Sequence, residues 1–200
     1  MYPHKKASEP VQKARVAFRA SIADLAAKNL VFIDEAGVNL AMVRLMARSQ
    51  KGKRARGSKP NRRGKNVSIL AALGLEKVLG RANLLGYTDA LTFEAFMVQR
   101  VIPNLWEGAC VILDNCSIHR REALEPLVEA VGARLLFLPP YSPEFSPIEN
   151  CWSKVKSILR SIETPTYEDL ERALDEAFSQ VTQQDIIGWF TKACYCTSND

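Results

Sequence analysis

The sequence predicts an α/β fold: a mixed five-stranded sheet flanked by helices, followed by a helical C-terminal tail. Three observations predict it. Short apolar runs bounded by turn residues, among them Leu30-Val31-Phe32-Ile33, Val67–Leu73 and Cys110-Val111-Ile112-Leu113, have the length and composition of buried strands. The succession Cys110–Leu113, Arg120–Val131, Arg134–Leu138 is strand, helix, strand, and implies a parallel crossover. From Ile148 onward the apolar residues fall at four-three spacing, which marks amphipathic helices seated on a core.

Taken in order, residues 1–29 form a helix and linker, in which Val11, Ala14, Phe18, Ile22 and Leu25 share one face and Pro10 suits the first turn. Strand one covers roughly Leu30–Glu35, and Gly37 marks a turn. Val67–Leu73 and Arg81–Tyr87 are expected as the next two strands of an antiparallel meander. Thr92–Trp106 reads as a helix kinked or interrupted by Pro103. Cys110–Leu113 is a buried strand. Arg120–Val131 is helical with Gly132 as its C-cap, and Pro126 suggests a break or a start near Glu125. Arg134–Leu138 is the fifth strand, and Pro139–Phe145 is a rigid proline-rich turn. The next helix opens at Ser146 and buries Ile148, Trp152, Val155, Leu159 and Ile162. Residues 163–200 form a helical tail with Tyr167, Leu170, Leu174, Phe178 and Val181 inward and a last helix over Gln184–Cys194.

Charge divides the chain. Residues 163–200 carry eight acids against Arg172 and Lys192, a net of −6, which leaves +11 on residues 1–162. Between Glu35 and Glu76 there is no acid, and ten basic residues accumulate, eight of them in the glycine- and proline-punctuated arm Lys51, Lys53, Arg54, Arg56, Lys59, Arg62, Arg63 and Lys65. Such an arm is either a solvated loop or a phosphate-contacting one, and ten positives without one acid favour phosphate, without base specificity. A basic body with an acidic tail fits a polyanionic partner. Five cysteines, with no C-x-x-C pair and no secretory leader, read as reduced cytosolic thiols rather than a disulfide framework or a zinc site. No apolar stretch approaches membrane-spanning length.

Three acids stand where the elements would deliver them together. Asp34 and Asp114 each end an apolar strand, and Glu149 lies just inside the helix after the fifth strand. In the ribonuclease H-like layout that this element order matches, those three positions converge at one sheet edge. Clustered carboxylates are hard oxygen ligands suited to Mg²⁺, with Mn²⁺ as a substitute. Each acid also has a bland explanation. Ser146-Pro147-Ile148-Glu149 matches a helix capping box, Asp114-Asn115 an Asx turn, and Asp34 a strand-end turn residue. Glu35 falls on the opposite face of its strand, and Trp152 fits the apolar seam as core. Asn115 and His119 are candidates for orienting a ligand or touching phosphate, with a structural hydrogen-bond role as the equal alternative for His119, and Tyr141 is a candidate for contacting a nucleic acid.

Phe32-Ile33-Asp34-Glu35, then Leu113-Asp114-Asn115 with His119, then Pro140-Tyr141-Ser142-Pro143 leading to Pro147-Ile148-Glu149-Asn150 and Trp152, resemble the catalytic motifs of Tc/mariner-superfamily transposases, in particular the bacterial insertion-sequence branch. Thirty-four residues separate Asp114 from Glu149, as in many members. The resemblance covers roughly residues 30–162. It implies a D-D-E catalytic domain, with Asp34, Asp114 and Glu149 as metal-binding catalytic residues. Such a domain cleaves DNA phosphodiesters at transposon ends and joins them to target DNA, usually at TA. It implies double-stranded DNA as partner and a cytoplasmic, nucleoid-associated location. Members usually carry an N-terminal helix-turn-helix region, for which the residues before Leu30 are too few. Either that region was removed or it is encoded in a separate or frameshifted reading frame, and a homodimer or a partner chain carrying the terminal-repeat-binding domain is the expected partner. Two rivals stand beside this reading: a nuclease of the same fold that cuts without joining, and an inert DNA-binding fragment that partners a full-length transposase.

Overall fold

The structure, a computed structural model, describes residues 8–44, 48–56 and 63–196. Strands β1 (Leu30–Val38), β2 (Val67–Leu73), β3 (Val78–Leu85), β4 (Cys110–Leu113) and β5 (Arg134–Phe137) form one sheet in the order β3-β2-β1-β4-β5. The first three pair antiparallel, and β1 with β4 and β4 with β5 pair parallel. This is the ribonuclease H-like arrangement that the element order predicts. It puts β1 and β4 side by side at the centre, where parallel strands are covered on both faces.

Helices cover both faces. On one side Phe32, Ile69 and Ile112 pack beneath α4 (Ile148–Ile162), α5 (Tyr167–Ser179) and α6 (Gln183–Lys192). Phe18 and Ile22, from α1 (Glu9–Ser21) and the turn after it, join the same core. On the other side Val31, Ile33, Val111 and Leu113 pack against α2 (Ala90–Phe96) and α3 (Arg121–Glu129). The period-two alternation of each strand thus serves two cores at once. The tail helices α5 and α6 pack on α4, and Arg81 of β3 reaches α5, donating to Leu174 O at 3.1 Å and lying 4.7 Å from the Phe178 ring.

Several boundaries differ from those expected. The N-terminal helix stops at Ser21, and a short 3₁₀ turn at Ala27–Asn29 leads into β1. β1 runs on to Val38, so Gly37 is a strand residue paired with Ser68 and not a turn. β3 begins at Val78, three residues before its expected start at Arg81, and ends at Leu85. The segment read as one helix over Thr92–Trp106 is α2, a wide π-type turn at Met97–Val101 and a 3₁₀ turn at Ile102–Asn104, so the interruption expected of Pro103 is real. Gly80 permits that turn to close on β3: a Cβ there would stand 2.8 Å from Arg100 O. Pro126 neither breaks α3 nor starts it. It lies inside the helix with no N–H to offer the Glu122 carbonyl one turn earlier, and both residues are exposed to solvent. Gly132 does take a positive φ of 74° just beyond that helix.

Candidate active site

Strand register brings the two aspartates together. The parallel pairing of β1 and β4 matches Phe32 with Ile112, and each aspartate lies two residues further on. Both therefore leave the sheet at the same edge. Asp34, on the same face as Phe32, turns toward α4, where Glu149 occupies the first helical turn. Asp34, Asp114 and Glu149 line one cavity of about 360 Å³, walled by Asn115, Pro140, Tyr141 and Ser142.

The surroundings of the three acids differ. Asp34 is half-buried, and Trp152 Nε1 donates to its Oδ2 at 2.9 Å. Burial, reinforced by the negative charges of Glu149 and Asp114, pushes its pKa up to about 7 against the restraint of a backbone bond from Glu35 and of the Trp152 bond. Asp114 is exposed at the rim. His119 Nδ1 donates to its Oδ1 at 2.8 Å, and the Cys116 amide to the same oxygen at 3.0 Å. These bonds, that of His119 above all, hold its pKa down. The Asx turn is thus formed, and it orients Asp114 rather than competing with a site. Burial works to lower the pKa of His119, but its bonds to Asp114 prevail and raise it. Its ring packs on Phe93 with centroids 4.2 Å apart. Glu149 is exposed, and no side chain caps α4, whose N-cap position is Pro147. The capping box at Ser146 and Glu149 does not form, so capping does not explain Glu149.

Of the supporting candidates, Asn115 lines the cavity and donates to Leu138 O at 2.6 Å, tying the end of β4 to the loop after β5. Tyr141 is half-exposed at the rim, with its backbone at φ +56°, a region that bulky side chains rarely adopt. Glu35 points to the opposite face, as the alternation requires. One of its carboxylate oxygens is buried without a hydrogen-bond partner among the described residues. Sequence reasoning missed the bond from Trp152, because the seam that identifies Trp152 as core does not reveal where its indole nitrogen points.

No described residue of the basic arm lines that cavity. Lys51, Lys53, Arg54, Arg56, Arg63 and Lys65 are exposed, while Lys59 and Arg62 fall outside the described residues. The arm's end is tied down: Tyr167 of α5 receives the Lys65 amide on its hydroxyl.

The donor set, three carboxylates on one cavity with the charge of Asp34 disfavoured by burial and further by the other two acids, fits a hard divalent cation. Among the described residues no three acid, thiol or imidazole groups converge closely enough to hold one ion together. Sharing of ions by pairs of carboxylates requires no such triple convergence.

A family model described as "DDE superfamily endonuclease" matches residues 29–171. No curated protein matches the chain. Among solved structures, the Mos1 transposase paired-end complex with left transposon end superposes with a TM-score of 0.77 at 19% identity, covering 96% of this chain and 61% of that one. The Mos1 mariner paired-end complex with Mn gives 0.77 at 16% identity, covering 96% and 60%. The Mos1 mariner transposase catalytic domain gives 0.71 at 15% identity, covering 96% and 90%. The chain thus spans about three fifths of the longer Mos1 chains and most of the catalytic domain. At these identities the likeness establishes the fold, and the family match, which covers most of the chain, establishes the kinship: this protein belongs to the DDE superfamily endonuclease family.

Proposed function

We propose that the chain is the catalytic domain of a DNA transposase, cleaving phosphodiesters at transposon ends and transferring the freed 3′ ends into target DNA. The observation that carries the reading is the placement of Asp34, Asp114 and Glu149, from three separate elements, on one open cavity. Asp34 with Asp114, and Asp34 with Glu149, would hold two divalent cations, Mg²⁺ or Mn²⁺, which when bound supply Lewis acidity for activating water and for neutralising charge on the leaving 3′ oxygen.

The chain's own groups prepare that site. Trp152 fixes one oxygen of Asp34. His119 and the Cys116 amide fix one oxygen of Asp114, and their bonds keep it ionised. Glu149 stands free of any capping duty on the exposed first turn of α4. The exposed cations of the arm supply sequence-independent attraction for the DNA backbone. In this reading the target is double-stranded DNA of the bacterial nucleoid, at TA. A dimer, or a terminal-repeat-binding domain on a partner chain or elsewhere in the same protein, completes end recognition.

Supercoiled plasmid incubated with Mn²⁺ tests the reading. Wild-type protein should nick it. Asp34→Asn, Asp114→Asn and Glu149→Gln should each lose at least a hundredfold in rate while retaining DNA affinity, because each removes a ligand's charge at nearly constant volume. Strand-transfer products with a pre-cut transposon end separate a transposase from a simple nuclease. A folded Glu149→Gln protein that nicks like wild type would remove Glu149 from the site.

A further inference from the structure

We propose that Arg15, on the N-terminal helix outside the family match, is a positioning residue for the active site: it clamps the proline-rich loop that walls the carboxylate cavity. The proposal rests on the transposase reading for its catalytic consequence and on geometry alone for the clamp. The loop needs restraint. It runs from the end of β5 to α4, presents Tyr141 at the rim, and keeps that residue at φ +56°. Such backbone persists only where neighbouring contacts over-determine it.

Arg15 supplies three of those contacts with one guanidinium. Its Nη1 donates to Ser142 Oγ at 2.8 Å and pairs with Glu144 Oε1 at 2.8 Å, and its Cζ lies 4.4 Å from the centre of the Phe145 ring. The Arg15 side chain is 18% exposed and that of Glu144 40%, so solvent weakens the ion pair on the glutamate side, and the bond to buried Ser142 and the Phe145 contact carry more of the grip. Ser142 Oγ passes the restraint on, donating to Pro140 O at 3.1 Å across Tyr141. A planar fork that bonds and stacks at once is the chemistry of arginine and not of lysine. The chain's other end closes the clamp. Tyr195 donates its hydroxyl to Phe145 O at 2.6 Å, and Arg19 lies 4.3 Å from the Phe145 ring while donating to Ala193 O. Both grips come from outside residues 29–171, so the catalytic loop is set by segments that the family match does not contain.

Amide hydrogen exchange and plasmid nicking, run on the full chain, test this. In Arg15→Ala, protection of the Phe145 and Ser146 amides, which bond within the loop to Ser142 O and Pro143 O, should fall at least tenfold while the sheet amides hold. Nicking kcat should fall roughly tenfold through misplacement of the loop, with KM for plasmid within about twofold because the basic arm is untouched. Arg15→Lys should recover part of both losses. Glu144→Gln, altered on the loop side, should loosen the same two amides to a lesser degree, and it decides the matter if Arg15→Ala does not fold. Unchanged protection of Phe145 and Ser146 in the folded variants would overturn the clamp. A uniform loss across the sheet in both Arg15→Ala and Glu144→Gln would overturn it as well, since the effect would then be general stability. Wild-type protein that fails to nick would remove the transposase reading and leave the exchange result to judge the clamp by itself.

Discussion

Asp34 carries a conflict at the scale of a single residue. It sits half-buried between β1 and α4 with two further carboxylates on the same cavity, and among the described side chains only Trp152 eases its charge. Its pKa near 7 in the folded chain lies above the 3.8 of a free aspartate, so the folded state binds the proton more tightly than the unfolded one. Stability is therefore fully present below about 3.8 and is lost as pH rises toward about 7. Glu35, raised by burial, acts with the same sign, while Asp114, lowered chiefly by His119, has its effect at more acid pH. The metal-free protein should show a Tm that falls across this window. Adding Mn²⁺ should restore more Tm at the alkaline end than at the acid end, because the ion binds the ionised form. Trp152→Phe, which keeps the ring and removes the donor, should push the window upward. A Tm that is flat across the window would show that Asp34 titrates as an ordinary surface acid.

At the scale of elements, two helix starts that look alike in sequence behave differently. Ser146 precedes Glu149 by three, and Thr182 precedes Asp185 by three. Only the second is a working box: Thr182 Oγ1 accepts from the Asp185 amide at 3.2 Å, and Asp185 Oδ2 accepts from the Thr182 amide at 2.8 Å. Pro147 takes the N-cap position of α4 and leaves Glu149 to the cavity. Thr182→Ala should thus cost about 1 kcal/mol by denaturant unfolding, and Ser146→Ala a few tenths. Equal costs would return Glu149 to a capping role. The contrast marks the limit of what was legible. Strand order, the crossover and the edge position of the three acids follow from apolar periodicity and connection rules, which sequence displays. The bond from Trp152 to Asp34 spans 118 residues, and the grip of Arg15 on Glu144 joins the first helix to the loop before α4. Periodicity says which face a residue takes and is silent on which atoms meet across the core. The extension of β1 through Gly37 was missed because local turn propensity gave way to pairing with β2.

Over the whole molecule, charge and packing assign different duties to the acidic helical tail and to the basic arm between β1 and β2. The acidic tail is not a free polyanion. Its apolar side is buried on α4, Arg81 pairs with Asp175, and Lys154 pairs with Asp185, so part of its charge is neutralised by basic residues of the body. Tyr167 holds the backbone at Lys65, which fixes one end of the basic arm to α5 while Lys51–Arg56 extend into solvent. An arm anchored at Lys65, with its described cations in solvent, can follow a DNA backbone without distorting the sheet. Neutralising Arg54, Arg56 and Arg63 together to glutamine should weaken binding to all duplex sequences alike. The slope of log K against log salt should fall by roughly 0.9 for each phosphate that the variant leaves unneutralised. Tm should hardly move, because all three side chains face water and surface substitutions of this kind cost within about 0.5 kcal/mol. Tyr167→Phe separates anchoring from charge. It removes the bond to Lys65 and leaves every cation in place, so the salt slope should stay and affinity should drop only by the cost of ordering a looser arm. A salt slope unchanged in the triple variant would mean that the arm does not meet phosphate, and the +11 of residues 1–162 would have to act through the body of the fold instead.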